Sequence, residues 1–375
     1  MGIQEIATVT GLSKATVSRA LRGLPSVAET TVDHVRRVAD ELGYVPSSAA
    51  AGLATGRQRA VGVVVPVIDR WFYAKAIGGV DAELRRAGYD LVLYNLGGPG
   101  GDRDRAFRRS MLRHRVDALV LLSLVLDETE RSELELTRHP MIVIGGPAPG
   151  LRNVGVDDVA VAATAVGHLL GLGHRRIAYV GGQDEAGMNV AVPFRRRDGF
   201  LDAMAGAGLH VPPSWLVDGR FSFAGGAAAG GLLLAGSGSG SGCGSGSGSG
   251  SGAGAGAGAG AGSASVSASA SASASASASE RPTAVFCASD EMALGVLLAA
   301  RRLGIAVPGE LSVIGIDGHE YGAAVGLTTI AQDPEAQGRT AACAVLAEVD
   351  GARPGVVPPA LATLVVRGTT GPPPR

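Results

Sequence analysis

Cysteine is scarce and poorly placed for cross-linking: Cys243, Cys287 and Cys343 are the only three, widely spaced and without a CxxC pair. An odd set of that kind excludes a disulfide framework and a cysteine zinc site, so reduced thiols in a cytoplasmic setting are expected. No run of about 18 apolar residues occurs and no basic start leads into an apolar stretch, so neither a membrane span nor an export signal is expected. An excess of one charge is also missing, with 33 Lys+Arg against 34 Asp+Glu and a net charge of -1. So weak an overall field makes no case for nucleic acid, a membrane surface or an acidic partner, and any such partner must be held by a local patch. Aromatics are sparse at 4%, and Lys14 and Lys75 are the only lysines, a skew that reads as codon composition.

Glycine, by contrast, is abundant at 58 residues, and residues 236 to 279 account for much of it with a Gly/Ser, then Gly/Ala, then Ser/Ala alternation. Such a stretch has almost no apolar area to offset backbone ordering, so it is expected to be a flexible insertion in a surface loop. Elsewhere short β-branched runs alternate with helix-period segments. Strands are expected at Val61–Val65, Asp90–Tyr94, Ala118–Leu122, Met141–Ile144, Arg176–Val180, Thr283–Cys287 and Ser312–Ile316, and helices at Ala74–Ala87, Asp104–His114, Ala160–Leu172 and Glu291–Leu303. Strand, helix, strand at this spacing predicts an α/β protein with parallel sheets covered on both faces. The number of βα units exceeds one compact sheet, so two doubly wound subdomains with a ligand cleft between them are expected.

The first 57 residues carry no strand run. Ile3, Ile6 and Ala7 suit one helix, Gly11-Leu12-Ser13 supplies a turn and an N-cap, and Val17, Ala20 and Leu21 form the apolar face of a second. Its opposite face holds Lys14, Ala15, Ser18, Arg19 and Arg22. Val35, Val38, Ala39 and Leu42 then give a third helix its buried stripe, which together makes a helix-turn-helix. In that motif the second helix enters the major groove, where cationic side chains suit guanine edges and a small apolar group suits a thymine methyl. Residues 1 to 45 hold as many acids as bases, but the segment from 6 to 28 has Lys14, Arg19 and Arg22 and no acid. A solvated basic face is the plain alternative.

The runs Ile3-Gln-Glu-Ile-Ala7, Gly11-Leu-Ser-Lys-Ala-Thr-Val-Ser-Arg-Ala-Leu21 and Val38-Ala-Asp-Glu-Leu-Gly-Tyr-Val-Pro46 resemble the DNA-binding headpiece of the lactose-repressor/galactose-repressor family. The likeness continues through Arg59-Ala-Val-Gly-Val-Val-Val-Pro66, Val154-Gly-Val-Asp-Asp158, Gly171-Leu-Gly-His-Arg-Arg-Ile-Ala178, Ser289-Asp-Glu-Met-Ala-Leu-Gly295, Val313-Ile-Gly-Ile-Asp317 and Leu327-Thr-Thr-Ile-Ala-Gln332. It implies a cytoplasmic, homodimeric transcriptional regulator, a repressor of double-stranded operator DNA gated by a small effector such as a sugar, with no cofactor, metal, membrane or catalysis. Its core would resemble periplasmic sugar-binding proteins.

The domains implied are a headpiece at 1–46, a hinge at 47–58 and a core at 59–375. The core would divide into an N-subdomain at about 59–158 and 333–360 and a C-subdomain at about 159–332 and 361–368. Carried over by position, Lys14, Ala15 and Arg19 read bases and Thr16 and Ser18 hold phosphates and register, with Arg22 on the same face. Leu53, in a hinge helix at Ser47–Ala54, becomes a minor-groove wedge whose unstacking cost of a few kcal/mol is recovered by a bent contact surface. Arg196 aligns with an effector-binding arginine, Ser289, Asp290, Asp317 and Gln332 with polar pocket positions, Phe221 with a stacking aromatic, and Trp71, Phe72 and Tyr73 with the cleft edge.

Departures from the family pattern are Ala28 where serine usually starts the third helix, a hinge lacking Asn and Arg and containing Gly52, and Ser289 in place of the commoner asparagine. Each pocket residue also has a plainer reading: Asp290 as a cap for the helix starting at Glu291, Phe221 as core, the arginine run as solvated surface. Two alternative functions stay open, a cytoplasmic sugar-binding protein with a degenerate DNA-binding headpiece and a sugar-modifying enzyme on the same fold. The second lacks an evident acid/base pair. Phosphate-cradling motifs are missing: Val61–Val65 runs into Pro66, where a dinucleotide fold needs GxGxxG, and the histidines show no ligand spacing.

Overall fold

Three short helices that each bury one narrow stripe must share a core to be stable. In the computed structural model, which describes residues 2–22, 26–44, 57–98, 101, 103, 107, 115–146, 149–182, 190–235 and 281–375, they do. Helices α1 (Ile3–Thr10), α2 (Lys14–Leu21) and α3 (Glu29–Glu41) enclose Ile6, Val17, Ala20 and Val35, all fully buried. Gly11, at φ 68°, ends α1 in the left-handed region that glycine adopts without strain. The Ser13 hydroxyl accepts from the Thr16 backbone N–H at 3.1 Å and so caps α2. Helix α3 starts at Ala28 without a side-chain cap, the deficit its sequence predicts.

Among the described residues the core contains two sheets. The first comprises β1 (Ala60–Val65), β2 (Asp90–Asn95), β3 (Ala118–Leu122), β4 (Met141–Ile144) and β5 (Arg152–Val154) in the order β2-β1-β3-β4-β5, all parallel. Every residue of β1 and β3 is buried, as near-continuous apolar runs require when helices cover both faces, whereas no residue of the edge strand β2 is fully buried. The second comprises β6 (Ile177–Gly181), β7 (Leu216–Asp218), β8 (Ala284–Cys287), β9 (Ser312–Asp317), β10 (Thr328–Gln332) and β11 (Ala362–Val365), ordered β11-β10-β9-β8-β6-β7, with β11 antiparallel to β10.

The main helices of the core are α4 (Trp71–Arg86), α5 (Glu128–Glu135), α6 (Asp158–Gly171), α7 (Val192–Gly206), α8 (Phe223–Leu234), α9 (Asp290–Arg302), α10 (Glu320–Ala324) and α11 (Pro334–Val349). The chain passes between the sheets three times: from β5 to α6, from β10 to α11, and from α11 to β11. Helix α11 thus returns to the first sheet, where Ala341, Ala342 and Val345 pack with Val61 and Val80. The approach of α11 to α4 is close enough that a Cβ on Gly79 or Gly338 would collide with backbone of the facing helix.

The C-terminal segment is anchored on the second sheet: Thr369 Oγ1 donates to the Val313 carbonyl at 2.7 Å and the Gly371 N–H to Ser312 Oγ at 3.0 Å. His174, fully buried, completes the anchor through Nε2 to the Gly371 carbonyl at 2.8 Å, so polar pairing compensates for missing apolar area. Strands β5, β7, β10 and β11 add to the seven that apolar runs announce. Leu53, the 236 to 279 segment and most of the helix expected at Asp104–His114 lie outside the described residues. Among the described residues no helix is long and apolar enough to cross a membrane, and no group of acidic, histidine and cysteine side chains is arranged to hold a metal.

Candidate functional site

On α2 the buried face is Val17 and Ala20, and the opposite face is left to solvent. Lys14, Ala15, Arg19 and Arg22 are exposed, with Thr16 and Ser18 half-buried between them. Arg19 Nε donates to the Ala15 carbonyl at 3.2 Å and Arg22 Nε to the Ser18 carbonyl at 3.0 Å, which lays both guanidinium groups along the helix. The Thr16 hydroxyl lies 2.9 Å from Ser13 Oγ. An amino-terminal helix turn with exposed cations, in a segment from 6 to 28 whose sequence holds no acid, has the charge to meet a phosphate backbone.

The second site follows from topology. In open parallel sheets the strand order reverses at a switch point, and ligands sit outside the carboxyl ends of the strands there. Reversal occurs at β1 in the first sheet and β6 in the second, and the two carboxyl edges face one cleft of about 950 Å3, its open mouth included. Pro66, Ser123 and Gly145 enter it from the first sheet, and Phe221, Ser289, Asp317 and Gln332 from the second. Arg220 and Phe221 both have positive φ, 52° and 46°, a strained turn that brings the Phe221 ring to the wall.

Arg196 organises the floor. Its side chain comes from α7, is 5% exposed, and donates through Nε to Asp158 Oδ1 at 2.8 Å and through Nη1 to the Ala288 carbonyl at 2.5 Å. Asp317 Oδ1 lies 3.6 Å from Nη1 and accepts from Gln332 Nε2 at 2.8 Å, and Gln337 Nε2 in turn donates to Gln332 Oε1 at 2.9 Å. Asp317 has φ 122°, an unusual backbone for a non-glycine residue and one that marks a constrained wall. Burial pushes the Asp317 carboxyl up to about 6 although Arg196 pulls the other way, and burial also lifts Glu291 to about 7. Desolvation opposes the Arg196 charge, but Asp158 and Asp317 outweigh it and its pKa rises.

Of the residues expected in the pocket, Phe72, Arg196, Phe221, Ser289, Asp317 and Gln332 line the cleft together, as does Tyr73. Asp290 does not, and it is not the cap either: Ser289 caps α9, accepting from the Met292 N–H at 3.3 Å. Fully buried behind the wall, Asp290 accepts from the Gly318 and His319 N–H groups at 2.9 and 2.8 Å and from Thr329 Oγ1 at 2.7 Å. Burial, then repulsion from Asp317, raises it to about 7. Sequence reasoning missed Asp158, Glu291, Arg70 and Arg220 on the wall. Asp158 stands in a quoted motif and Glu291 beside Ser289, so position was available as a signal; the pairing was not.

Comparison with known proteins matches both the headpiece and the core. The profile described as bacterial regulatory proteins, lacI family, matches residues 2–47, that of periplasmic binding proteins and sugar binding domain of the LacI family matches 58–230, and a periplasmic binding protein-like domain matches 251–370. The HTH-type transcriptional repressor PurR of Vibrio campbellii is 30% identical over 346 residues, 90% of this chain and 89% of its own. The HTH-type transcriptional repressor CytR of Escherichia coli is 28% identical over 373 residues, covering 98% and 96%. In fold, the chain is similar to the Lac repressor dimer solved with operator and the anti-inducer ONPF, with a TM-score of 0.75, 21% identity and 99% of each chain covered.

Proposed function

The chain belongs to the LacI family of bacterial regulatory proteins, and on that footing we propose that it is a homodimeric repressor whose α2 reads operator DNA and whose cleft takes a sugar-class effector. The observation that carries this is the outward set of Lys14, Ala15 and Arg19 on a capped helix, in one chain with a cleft shared by two sheets, mostly apolar but with Arg196, Asp317 and Gln332 in its lining. Lys14, Ala15 and Arg19 reach base edges, Thr16, Ser18 and Arg22 hold the backbone, and Leu53 is the minor-groove wedge. The chain divides into a headpiece at 1–46, a hinge at 47–58 and an effector core from 59 onward.

In the cleft, Phe72 and Phe221 cover the apolar face of a ring while Arg196, Ser289, Asp317 and Gln332 exchange hydrogen bonds with hydroxyls. Asp290 supports that wall from behind instead of touching ligand. The effector regulates through its differential affinity for two subdomain arrangements. Known relatives named here are regulators, and this chain too acts without turnover, in the cytoplasm.

A thermal-shift screen of the full chain with monosaccharides, polyols and purine nucleosides tests the assignment. A ligand at about 100 times its Kd adds roughly 2.7 kcal/mol, several degrees of midpoint. The same ligand is expected to change retention of genomic DNA fragments in a gel shift. A ligand that stabilises a protein showing no DNA complex even at low salt would favour the binding-protein alternative.

A further inference from the structure

We propose that Trp71 and Glu320 form a latch across the mouth of the cleft, holding the two subdomains in the closed arrangement and so setting how readily an effector shifts them. The regulatory consequence rests on the effector reading above; the latch itself does not. Trp71 and Lys75 stand in the first turns of α4, on the first sheet's side, and His319 and Glu320 begin α10, on the second sheet's side.

Across the gap Trp71 Nε1 donates to Glu320 Oε2 at 2.5 Å, and Lys75 Nζ lies 3.3 Å from Glu320 Oε1. The Trp71 indole stacks on the His319 ring at a centroid distance of 4.8 Å and an interplanar angle of 25°, and Lys75 Nζ sits 5.9 Å from the indole centroid. A further bond joins the halves beside it, from Arg70 Nη2 to the Arg220 carbonyl at 3.2 Å. Because the Tyr321 N–H donates to His319 Nδ1 at 3.0 Å, that nitrogen is an acceptor and the ring is neutral, which suits stacking.

The second-sheet half of the latch is fixed to the cleft wall. Asp317, on the wall, is followed directly by Gly318 and His319, and the N–H groups of both end on Asp290 Oδ2. Asp317 and His319 thus belong to one short wall segment held on Asp290, and a ligand that moves that segment moves both. The latch is also weak enough to be reversible. The Lys75 and Glu320 side chains are 43% and 50% exposed, so water replaces their pairing when the cleft opens, and such a pair biases an equilibrium by about fivefold at most instead of locking it.

The test uses effector-free full-length protein. The chain has two tryptophans, so Trp215→Phe leaves Trp71 as the sole emitter. In that background Glu320→Ala is expected to raise iodide quenching of Trp71 about threefold and to increase the radius of gyration in small-angle X-ray scattering. Trp71→Phe and Lys75→Ala are expected to increase the radius independently, and they keep the test available if one variant folds poorly. Unchanged scattering in all three variants overturns the latch, even if quenching rises, since that would be local exposure without opening. With neither DNA nor effector present, failure of the effector reading leaves the outcome untouched.

Discussion

Replacing Arg196 by alanine removes a guanidinium that is 5% exposed and leaves two carboxylates behind it, Asp158 at 1% and Asp317 at 6%. It also orphans the Ala288 carbonyl. Breaking one side of a buried pair costs about 3–5 kcal/mol, a third or more of the roughly 5–15 kcal/mol that holds a domain folded. Asp317 limits the loss, because its carboxyl already sits at about 6 and takes a proton once its counter-charge is gone. The deficit should therefore be largest near pH 8 and shrink toward pH 5. Urea unfolding in a Trp71→Phe background, followed by Trp215 against the second sheet's core, reads this directly. The charge-neutral pair Asp158→Asn with Arg196→Met should recover at least half of the loss. A deficit under about 1 kcal/mol, or one equal at both pH values, would refute the buried-cluster account.

Three other outcomes follow from the same structure. Lys14→Ala and Arg19→Ala are each expected to weaken DNA binding by about 1–3 kcal/mol if they contact bases, with the thermal midpoint unchanged because both side chains are exposed; fluorescence anisotropy and a melt measure the two together. Ala28→Ser supplies the missing cap of α3 and should stabilise the headpiece by about 1 kcal/mol, seen as slower amide exchange across Glu29–Glu41 in the intact chain. Asp317, Asp290 and Glu291 should titrate in carboxyl carbon NMR near 6, 7 and 7, where ordinary carboxylates are already ionised. Since the folded values lie above the unfolded ones, these groups favour the folded state fully below about pH 4 and lose that contribution as pH rises through 6 to 7.

Apolar runs made seven strands legible: six are wholly or almost wholly buried and cannot avoid such runs, and the exposed edge strand Asp90–Asn95 still carries Leu-Val-Leu. The short edge strands Arg152–Val154 and Leu216–Asp218 have no such run, and Thr328–Gln332 hides its role behind two threonines whose partners are Thr370 in the C-terminal segment and Asp290 on α9. The headpiece was legible in its turn, cap and stripe, all local signals. Within the cleft, the family resemblance supplied the seven expected lining residues, and six of them line it. Asp290 escaped because the neighbours Ser289 and Glu291 turn toward the cleft, while its own side chain is taken by backbone N–H groups 28 and 29 residues away. The Arg196 pairing with Asp158, 38 residues apart, is likewise a product of the packing of α7 against α6 and leaves no periodic trace.

The claim on which the rest depends is that α2 is a reader of duplex DNA. Selection of genomic fragments by the full chain, followed by footprinting of the enriched DNA across a salt series, tests it most directly. The account predicts a near-palindromic protected site with half-sites about one helical turn apart. Affinity there should fall steeply with salt, and protection should be lost in the double variant Lys14→Ala, Arg19→Ala. Equal protection by the double variant, or no enriched sequence at any salt, would contradict it.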